Sequence, residues 1–271
     1  MIYLVCTPIG NLNDISLRSI EILNSSDLIY AEDTRRANKI FDKFKIKKKS
    51  FSFNDHNEGV KTKHIIQEAK AGKTISVISD AGAPLISDPG HLLVSECIRE
   101  NIEFSVIPGP SSVINSLLLS GLRTDKFMFF GFIPRKDSER KKLFKKNIRN
   151  DSTMVFFESP KRLIKTLSVM KETFLPSRQV VICREMTKLH EEVIRGSIAE
   201  ILKKVSTLSI KGEVCLLVEG EKGIDNSQVN LNEDIKRAVL QKLSPSEAAK
   251  LLSLITKQNK RDLYKWLTEK S

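Results

Sequence analysis

Short apolar runs alternate with amphipathic stretches along the first 122 residues. Runs of four or five residues rich in Ile, Val, Leu, Tyr and Phe have the length of buried strands, and they lie at residues 2–6, 28–31, 50–53, 74–78 and 104–107. Between them apolar residues recur at helical spacing, as at Leu17, Ile20 and Leu23, where Ser16 is placed to cap the helix. Repeated strand–helix units of this length predict an α/β fold with a parallel or mostly parallel sheet.

The same alternation continues in the second half of the chain. Strand patterns lie at residues 126–132, 153–157, 179–184 and 213–218, with helical patterns at 161–172 and 198–205. A polar stretch at 219–230 predicts a linker, and three further helical patterns fill the rest of the chain. We therefore predict an N-terminal α/β domain at 1–122, a second α/β domain at 123–222 and a small helical extension at 231–271.

The segment at residues 79–90, SDAGAPLISDPG, combines two Gly and two Pro directly after a predicted strand. Glycine lets the backbone approach a ligand and proline stiffens the loop around it. Because ligands bind beyond the carboxyl ends of strands in open α/β sheets, we expect this loop to form one wall of a ligand site, although an ordinary surface turn is the alternative. Loops 7–11 and 108–112 end two other strands. The latter opens a helix whose free amides, with Ser111 or Ser112 as cap, form a second polar wall.

Net charge changes this picture by suggesting the kind of partner. The formal charge is +12 and the isoelectric point is near 9.5, which favours anionic partners, nucleic acid first. The alternative is that this lysine-rich and isoleucine-rich sequence reflects the base composition of its genome. The strongest local bias lies at residues 135–146, with seven basic and two acidic residues. This segment is predicted to be either a phosphate-binding surface or a solvated, disordered lid.

Several classes of protein are disfavoured. No apolar stretch approaches the roughly 20 residues of a membrane helix, and the opening residues lack the basic leader of a signal peptide. Four scattered cysteines indicate reduced core thiols in a cytoplasmic protein. GxGxxG, P-loop, HExxH, CxxC and GxSxG motifs are absent, and the four histidines are dispersed, so no metal site is expected.

Seven short segments occur in order along the chain. They are TPIGNL at 7–12, AEDTRR at 31–36, the loop 79–90, PGPS at 108–111, GFIP at 131–134, ESP at 158–160 and REMTKLHEE at 184–192. Together they resemble the 16S rRNA cytidine 2′-O-methyltransferases of the tetrapyrrole methylase superfamily, and the resemblance spans residues 1–220. It implies a two-domain class III methyltransferase fold that binds S-adenosylmethionine between its domains, forms a homodimer and methylates a decoding-region cytidine of 16S rRNA or of the small ribosomal subunit.

The resemblance also implies site residues. The cofactor-binding set is Pro8, Gly10, Asp80, Ala81, Gly82, Ala83, Leu85, Ile86, Ser111, Ser112, Phe157, Ser159 and Pro160. Three positions depart from the family pattern: Ala83 replaces a usual Thr, Ser112 a common Ala, and Lys161 a common His. Asp80 is better supported as a cofactor residue than as a catalyst, and Asp88 is expected to shape the turn.

The chemistry of methyl transfer to a hydroxyl favours a general base. Glu32, Asp33 and Asp80 are the candidates, and each is equally well explained as a cap or an ion-pair partner. For RNA the candidates are Arg35, Arg36, Arg135, Lys136, Arg140, Lys141, Arg184 and Lys188. A tetrapyrrole methylase and a non-catalytic RNA-binding or ribosome-assembly factor remain the alternatives.

Overall fold

The structure is a computed structural model that describes residues 1–208, 210–221, 231–256 and 258–269. The described chain divides into two compact units, one of residues 1–220 and one of residues 221–271. Most of the predicted linker at 219–230 lies outside the described residues. The predicted boundary near residue 122 falls within the first unit, which holds both sheets.

The first sheet is fully parallel, as predicted. Its strands are β1 (Ile2–Val5), β2 (Leu28–Ala31), β3 (Ser50–Ser52), β4 (Ile75–Ile78) and β5 (Phe104–Ile107), in the order β3-β2-β4-β1-β5. The connecting helices are α1 (Leu17–Ser25), α2 (Thr34–Phe44), α3 (Glu58–Lys70) and α4 (His91–Arg99), and α5 (Ser112–Ser120) follows β5. Every residue of β4 is buried, because this central strand is covered on both faces. Because the strands are parallel, the loops that follow β1, β2, β4 and β5 all open at the same edge of the sheet.

Three α-helices of this half, α1, α2 and α5, begin at a side-chain cap. Ser16 accepts a hydrogen bond from the Ser19 amide, Asp33 from the Arg35 amide and Ser111 from the Ile114 amide. Ser111, rather than Ser112, is therefore the cap of α5. The Asp33 cap fixes the start of α2 directly behind β2.

The second sheet differs from the first in the direction of its strands. Its strands are β6 (Phe127–Phe132), β7 (Thr153–Glu158), β8 (Gln179–Arg184), β9 (Glu192–Ser197) and β10 (Val214–Val218), in the order β6-β7-β10-β8-β9. Only β6 and β7 are parallel, whereas the other three pairs are antiparallel. Strand β9 was not predicted; it returns directly beside β8, which a hairpin connection permits only in the antiparallel direction. The helices are α6 (Asp137–Lys146), α7 (Pro160–Thr173) and α8 (Ile198–Ser206).

A shared apolar cluster joins the two sheets. Val113 and Leu117 of α5 pack in one buried cluster with Val155, Val181 and Leu217 of the second sheet. Helix α5 was assigned to the first domain by sequence, yet it contacts the second. This contact holds the strand-exit loops of the first sheet against the second sheet.

The second unit is helical. It contains α9 (Glu233–Leu240), α10 (Pro245–Thr256) and α11 (Lys260–Thr268), as the sequence predicts for this region. Its core is formed by Ala248, Ala249, Leu252, Leu263 and Leu267. The Lys236 ammonium lies 5.6 Å from the centre of the Trp266 ring, so the aromatic residue has a structural contact in this unit.

Candidate active site

Three strand-exit loops meet at the carboxyl edge of the first sheet. Thr7 and Gly82 form an isolated antiparallel bridge, with amide-to-carbonyl distances of 2.9 and 3.0 Å between them. Gly109 lies so close to Cys6 that a side chain at 109 would place its Cβ 2.8 Å from the Cys6 Cβ. The convergence of loops 7–11, 79–90 and 108–112 that the sequence suggested is therefore present.

Loop 79–90 is held in an uncommon backbone conformation. Gly82 and Gly90 have positive φ angles of 84° and 129°, and Leu85 and Ser87 adopt φ of 72° and 68° despite carrying side chains. The Glu58 carboxylate accepts hydrogen bonds from the amides of Gly90 and Leu92 at 2.9 and 3.0 Å, which ties the end of the loop to α3. Positive φ at non-glycine residues is costly and is typical of binding sites held in one shape by their surroundings.

These loops form one wall of a cavity of about 450 Å³, which we name the cleft. Loops of the second sheet form the opposite wall. Ten of the expected cofactor residues line it: Asp80, Ala81, Gly82, Ala83, Ile86, Ser111, Ser112, Phe157, Ser159 and Pro160. A cleft of this volume, with apolar walls and a few polar groups, has the properties of a small-molecule site.

Three expected cofactor residues do not line the cleft. Pro8 is buried, and its neighbour Ile9 reaches the cleft instead. Leu85 packs over Gly90 and against the core of the first sheet, because glycine at position 90 has no Cβ to occupy that space. Gly10 has a packing role: a Cβ there would lie 2.6 Å from Lys188 Cγ and 2.7 Å from the Met186 carbonyl oxygen.

Several lining residues were not anticipated from the sequence. Phe132 and Met186 add apolar surface from the second sheet, and the Phe132 ring lies 5.4 Å from the Phe157 ring. Phe132 belongs to the segment GFIP and Met186 to REMTKLHEE, so the motif pattern contained a signal for both. Asp88, which is expected to shape the turn, also lines the cleft.

The turn from β7 into α7 is built on a buried carboxylate. Glu158 accepts a hydrogen bond of 2.7 Å from the Ser159 amide and one of 2.6 Å from the Thr166 hydroxyl, and it pairs with Arg162. Burial of this carboxylate is compensated by these partners. The result is a rigid turn that presents Ser159 and Pro160 to the cleft.

Glu32 has the most perturbed carboxyl group at the cleft. Burial, and then the negative charges of Asp88, Asp80 and Asp55, raise its pKa to about 7. Its Oε2 atom is buried and has no hydrogen-bond partner among the residues that the structure describes. A carboxylate with a pKa near neutrality and a free oxygen is able to accept a proton at physiological pH.

The other two candidate bases have partners. Asp33 caps α2 and pairs with the Arg35 guanidinium, at 2.6 and 3.0 Å, and these hydrogen bonds lower its pKa to about 2. Asp80 accepts a hydrogen bond of 2.9 Å from the Asp33 amide and lies 3.4 Å from Arg36 Nε. Caps or ion-pair partners were the alternative roles expected for both residues. Asp33 is a cap and an ion-pair partner, and Asp80 is an ion-pair partner.

Asp88 is the second carboxyl group with a raised pKa. Burial and the nearby charges of Asp80 and Asp55 raise it to about 6, although a hydrogen bond from Ser79 opposes the shift. The wall shared by Glu32, Asp80 and Asp88 is therefore an electronegative region of the cleft that would attract a cationic ligand.

Arg35 and Arg36 lie beside the cleft but differ in exposure. The Arg35 side chain is 88% exposed although it pairs with Asp33, whereas Arg36 lines the cleft and neighbours Asp80. Arg184 pairs with Glu192 at 2.6 Å on the β8–β9 hairpin, and Lys188 lies 2.9 Å from Glu185. Each of these four basic side chains therefore has an acidic neighbour, and among them only Arg36 lines the cleft.

The basic segment 135–146 is ordered. Residues 137–146 form α6, so the alternative of a disordered lid is wrong. Arg135, Lys136 and Lys141 are exposed, although Lys136 neighbours Glu139 at 3.4 Å and Lys141 pairs with Glu172 at 2.8 Å. The helix thus presents a basic outer face.

Arg140 is the exception, and its proposed role in RNA binding is corrected. The residue is 1% exposed and donates hydrogen bonds to Asp137 Oδ1 at 3.0 Å and to the carbonyl oxygens of Pro134 and Arg135 at 3.2 Å each. It shares its helix face with buried Phe144, four residues on. Arg140 therefore anchors the β6–α6 loop instead of facing a partner.

The four cysteines are free and buried, in agreement with the expected reduced core thiols. Within the described residues no group of three or more His, Cys, Asp or Glu side chains is placed to hold a metal ion. Over the same residues, no helix has the length and apolar character that crossing a membrane requires.

Comparison with known proteins places the chain in a family. Residues 1–202 match the family described as Tetrapyrrole (Corrin/Porphyrin) Methylases. A Rickettsia prowazekii protein named Ribosomal RNA small subunit methyltransferase I is 42% identical over 243 residues, which are 90% of this chain and 86% of the relative. A protein of the same name from Thermotoga maritima is 44% identical over 218 residues, 80% of this chain and 97% of the relative.

Solved structures agree on the fold. A diphthine synthase aligns with a TM-score of 0.61 at 15% identity, over 80% of this chain and 89% of its own. Uroporphyrin-III-C-methyltransferase from Thermus thermophilus aligns with a TM-score of 0.56 at 19% identity, over 80% and 93%. These neighbours confirm the expected class III methyltransferase fold. The chain therefore belongs to the tetrapyrrole methylase family and, within it, to the group of proteins named Ribosomal RNA small subunit methyltransferase I.

Proposed function

We propose that this protein transfers a methyl group from S-adenosylmethionine to the 2′-hydroxyl of a cytidine in the decoding region of 16S rRNA. The observation that carries the proposal is the cleft, in which cofactor-type loops adjoin a carboxyl group with a pKa near neutrality. The names of the relatives support an rRNA substrate. Family resemblance further supports a homodimer in the cytoplasm.

The residues of the cleft fit the methyl donor. S-adenosylmethionine carries a sulfonium cation, a charged methionine end and an apolar adenine face, and it supplies an electrophilic methyl group. The free amides at the start of α5, near Ser111 and Ser112, would hold the carboxylate of the methionine end. Phe132 and Phe157 offer apolar surface to the adenine, and the carboxylates described above face a cation favourably.

Positioning is the main catalytic task of the protein in such a displacement. A ribose oxygen held in line with the methyl group reacts without the entropy loss of a random encounter, which is worth on the order of 7–11 kcal/mol. The rigid loop 79–90 and the buried turn at Glu158 keep both walls of the cleft in one geometry. This rigidity is what allows precise alignment.

Glu32 is the residue that we propose as general base. It would accept the proton of the 2′-hydroxyl as the oxygen attacks, a role worth roughly 10²–10⁴-fold in rate. Asp33 is a weak base because Arg35 holds its pKa at about 2, and both oxygens of Asp80 already face donors. The Glu32 Oε2 atom has no hydrogen-bond partner within the residues described, and the pKa of Glu32 is near neutrality.

The basic residues at the rim would bind RNA. Exposed Arg35, Arg135, Lys136 and Lys141 would supply phosphate contacts. Arg36, which lines the cleft, and Arg184 and Lys188 of the REMTKLHEE segment would add to them. The net charge of +12 adds long-range attraction for a polyanion. Binding through phosphates releases counterions, so the affinity for RNA should fall steeply with salt.

The direct test is methyl transfer. Purified protein is incubated with labelled S-adenosylmethionine and either small ribosomal subunits or 16S rRNA from cells that lack the mark, and the modified nucleotide is mapped by mass spectrometry. Label on the 2′-oxygen of one cytidine supports the proposal, and absence of label on both substrates contradicts it. Sedimentation of the purified protein measures whether it is a dimer.

The same material separates the two alternatives. Transfer of label to uroporphyrinogen, with none to RNA, would identify a tetrapyrrole methylase. Calorimetry that detects RNA binding but no S-adenosylmethionine binding would identify a non-catalytic RNA-binding factor.

A further inference from the structure

A second cavity of about 450 Å³ adjoins the cleft, and we name it the side cavity. It lies between the start of α2 and the loop from β3 to α3. Glu32 and Asp80 line both cavities, so the two share a wall. A molecule in the side cavity would therefore meet a molecule in the cleft at Glu32.

The walls of the side cavity define the chemistry of its ligand. Carboxylates of Glu32, Asp33, Asp55 and Asp80 line it, with the basic Arg35 at its rim. This excess of negative charge disfavours a phosphate group inside the cavity. It suits a neutral group that carries hydrogen-bond donors, such as the hydroxyls of a ribose and the exocyclic amine of a cytosine.

The loop from β3 to α3 is built to present two side chains. Asn54 accepts a hydrogen bond from the His56 amide at 3.1 Å, and its own amide donates to Asn57 Oδ1 at 2.9 Å. Buried Phe53 anchors the loop in the core. Asp55 and His56 are exposed and line the side cavity, so they are available to a ligand.

Planar groups are present for base stacking. His56 and Arg35 both line the side cavity, and unstacked RNA bases commonly stack on imidazole and guanidinium planes. We infer that the side cavity receives the target nucleoside, turned out of the RNA stack, and thereby places its ribose beside Glu32. This inference rests on the proposed function and specifies where its substrate binds.

The carboxylate of Asp55 is the group best suited to distinguish cytosine. A carboxylate accepts a hydrogen bond from the cytosine N4 amine, which uracil lacks, and such a contact is worth roughly 5- to 150-fold in discrimination. The Asp55 and His56 side chains are exposed, so Asp55→Asn and His56→Ala should leave the fold intact. Asp42→Asn on α2 and His64→Ala on α3 are matched controls outside both cavities.

The experiment measures kcat/KM for methyl transfer to RNA with cytidine or uridine at the target position, together with S-adenosylmethionine binding by calorimetry. We expect Asp55→Asn to lower kcat/KM for the cytidine RNA about tenfold and to narrow the preference for cytidine. His56→Ala should lower kcat/KM for both RNAs, and cofactor binding should stay unchanged in both variants.

Two results are decisive in the opposite direction. If the unsubstituted protein methylates RNA but Asp55→Asn and His56→Ala behave like Asp42→Asn and His64→Ala, the side cavity is not the nucleoside site, while the proposed function stands. If the unsubstituted protein methylates no RNA, the proposed function fails and this inference fails with it.

Discussion

Replacing Glu32 by Gln removes one carboxylate and keeps the size of the side chain. In the unsubstituted protein the fraction of Glu32 that is ionised should rise from about one tenth at pH 6 to about nine tenths at pH 8, since burial and neighbouring carboxylates raise its pKa to about 7. The rate of methyl transfer should rise about tenfold over that range. In Glu32→Gln the rate should fall by roughly 10²–10⁴-fold, and its rise with pH should be lost.

Cofactor binding should shift this profile in a defined direction. A sulfonium cation in the cleft favours the ionised form of Glu32. The pKa of Glu32 observed in kcat should therefore lie below the pKa observed in kcat/KM for S-adenosylmethionine, which reports the protein without cofactor. Glu32 shares its two cavities with other charged or titratable groups. The cleft is lined by Arg36, Asp80 and Asp88, and the side cavity by Asp55, His56 and Asp80. His56→Ala removes the imidazole there and should keep the rise with pH.

Stability provides a second readout of opposite sign. Because the pKa of Glu32 is higher in the folded state than in the unfolded chain, its contribution to stability is present below about pH 4.5 and is lost as pH rises through about 7. Glu32→Gln should therefore be more stable than the unsubstituted protein at pH 8 and similar to it at pH 4.5. A residue with a purely structural role would lose stability when replaced.

The assay is single-turnover methyl transfer from pH 6 to pH 8, with thermal unfolding at each pH. Glu100→Gln is the matched control, because Glu100 pairs with Lys70 on the surface and touches neither cavity. The assignment of Glu32 as base is refuted if Glu32→Gln retains the pH profile and rate of Glu100→Gln while it binds the cofactor normally.

Three further substitutions, two of them paired with a comparison variant, test the packing and the surface of the protein. Gly10→Ala should lower stability by about 1–3 kcal/mol and weaken S-adenosylmethionine binding, because the new Cβ displaces the β8–β9 loop. In the comparison variant Gly59→Ala the new Cβ meets no atom within 4 Å, so thermal unfolding should show unchanged or higher stability. Arg140→Ala should lower the free energy of unfolding by about 1–3 kcal/mol, because buried hydrogen bonds are lost. Lys141→Ala should leave stability unchanged and reduce the salt dependence of RNA binding. If instead Arg140→Ala changed RNA binding and Lys141→Ala changed stability, Arg140 would be an RNA contact after all. Phe132→Ala should raise the Kd for S-adenosylmethionine roughly tenfold with little change in Tm, since the ring is 62% exposed, and an unchanged Kd in calorimetry would remove it from the adenine-binding surface.

Local patterns were sufficient for the first sheet and for the strand-exit loops. The five apolar runs of the first half all form strands, and Ser16 is a cap because helix starts need a side-chain acceptor for their free amides. Loop 79–90 was predicted from Gly and Pro alone, and its positive φ angles at Gly82 and Gly90 agree with that reading. Family resemblance then supplied ten of the residues that line the cleft.

Other features depend on contacts between distant residues. Strand direction in the second sheet is set by pairing partners, which an apolar run does not specify. Arg140 has the same charge as Lys141, the next residue in the sequence, and only the packing of α6 distinguishes the buried Arg140 guanidinium from the exposed Lys141 side chain. The spacing of Arg140 and Phe144 was the available signal for a shared buried face.

The sequence by itself determined where strands end, which loops are rigid, and which family the motifs resemble, because these are properties of neighbouring residues. The tertiary structure decided which carboxylate is a suitable base. Glu32, Asp33 and Asp80 are equivalent as residue types, but their pKa values depend on burial and on charges brought close by the fold. Asp33 and Asp80 have cationic or amide partners, whereas Glu32 lies near Asp80 and Asp88 and one of its oxygens has no hydrogen-bond partner in the described part of the chain.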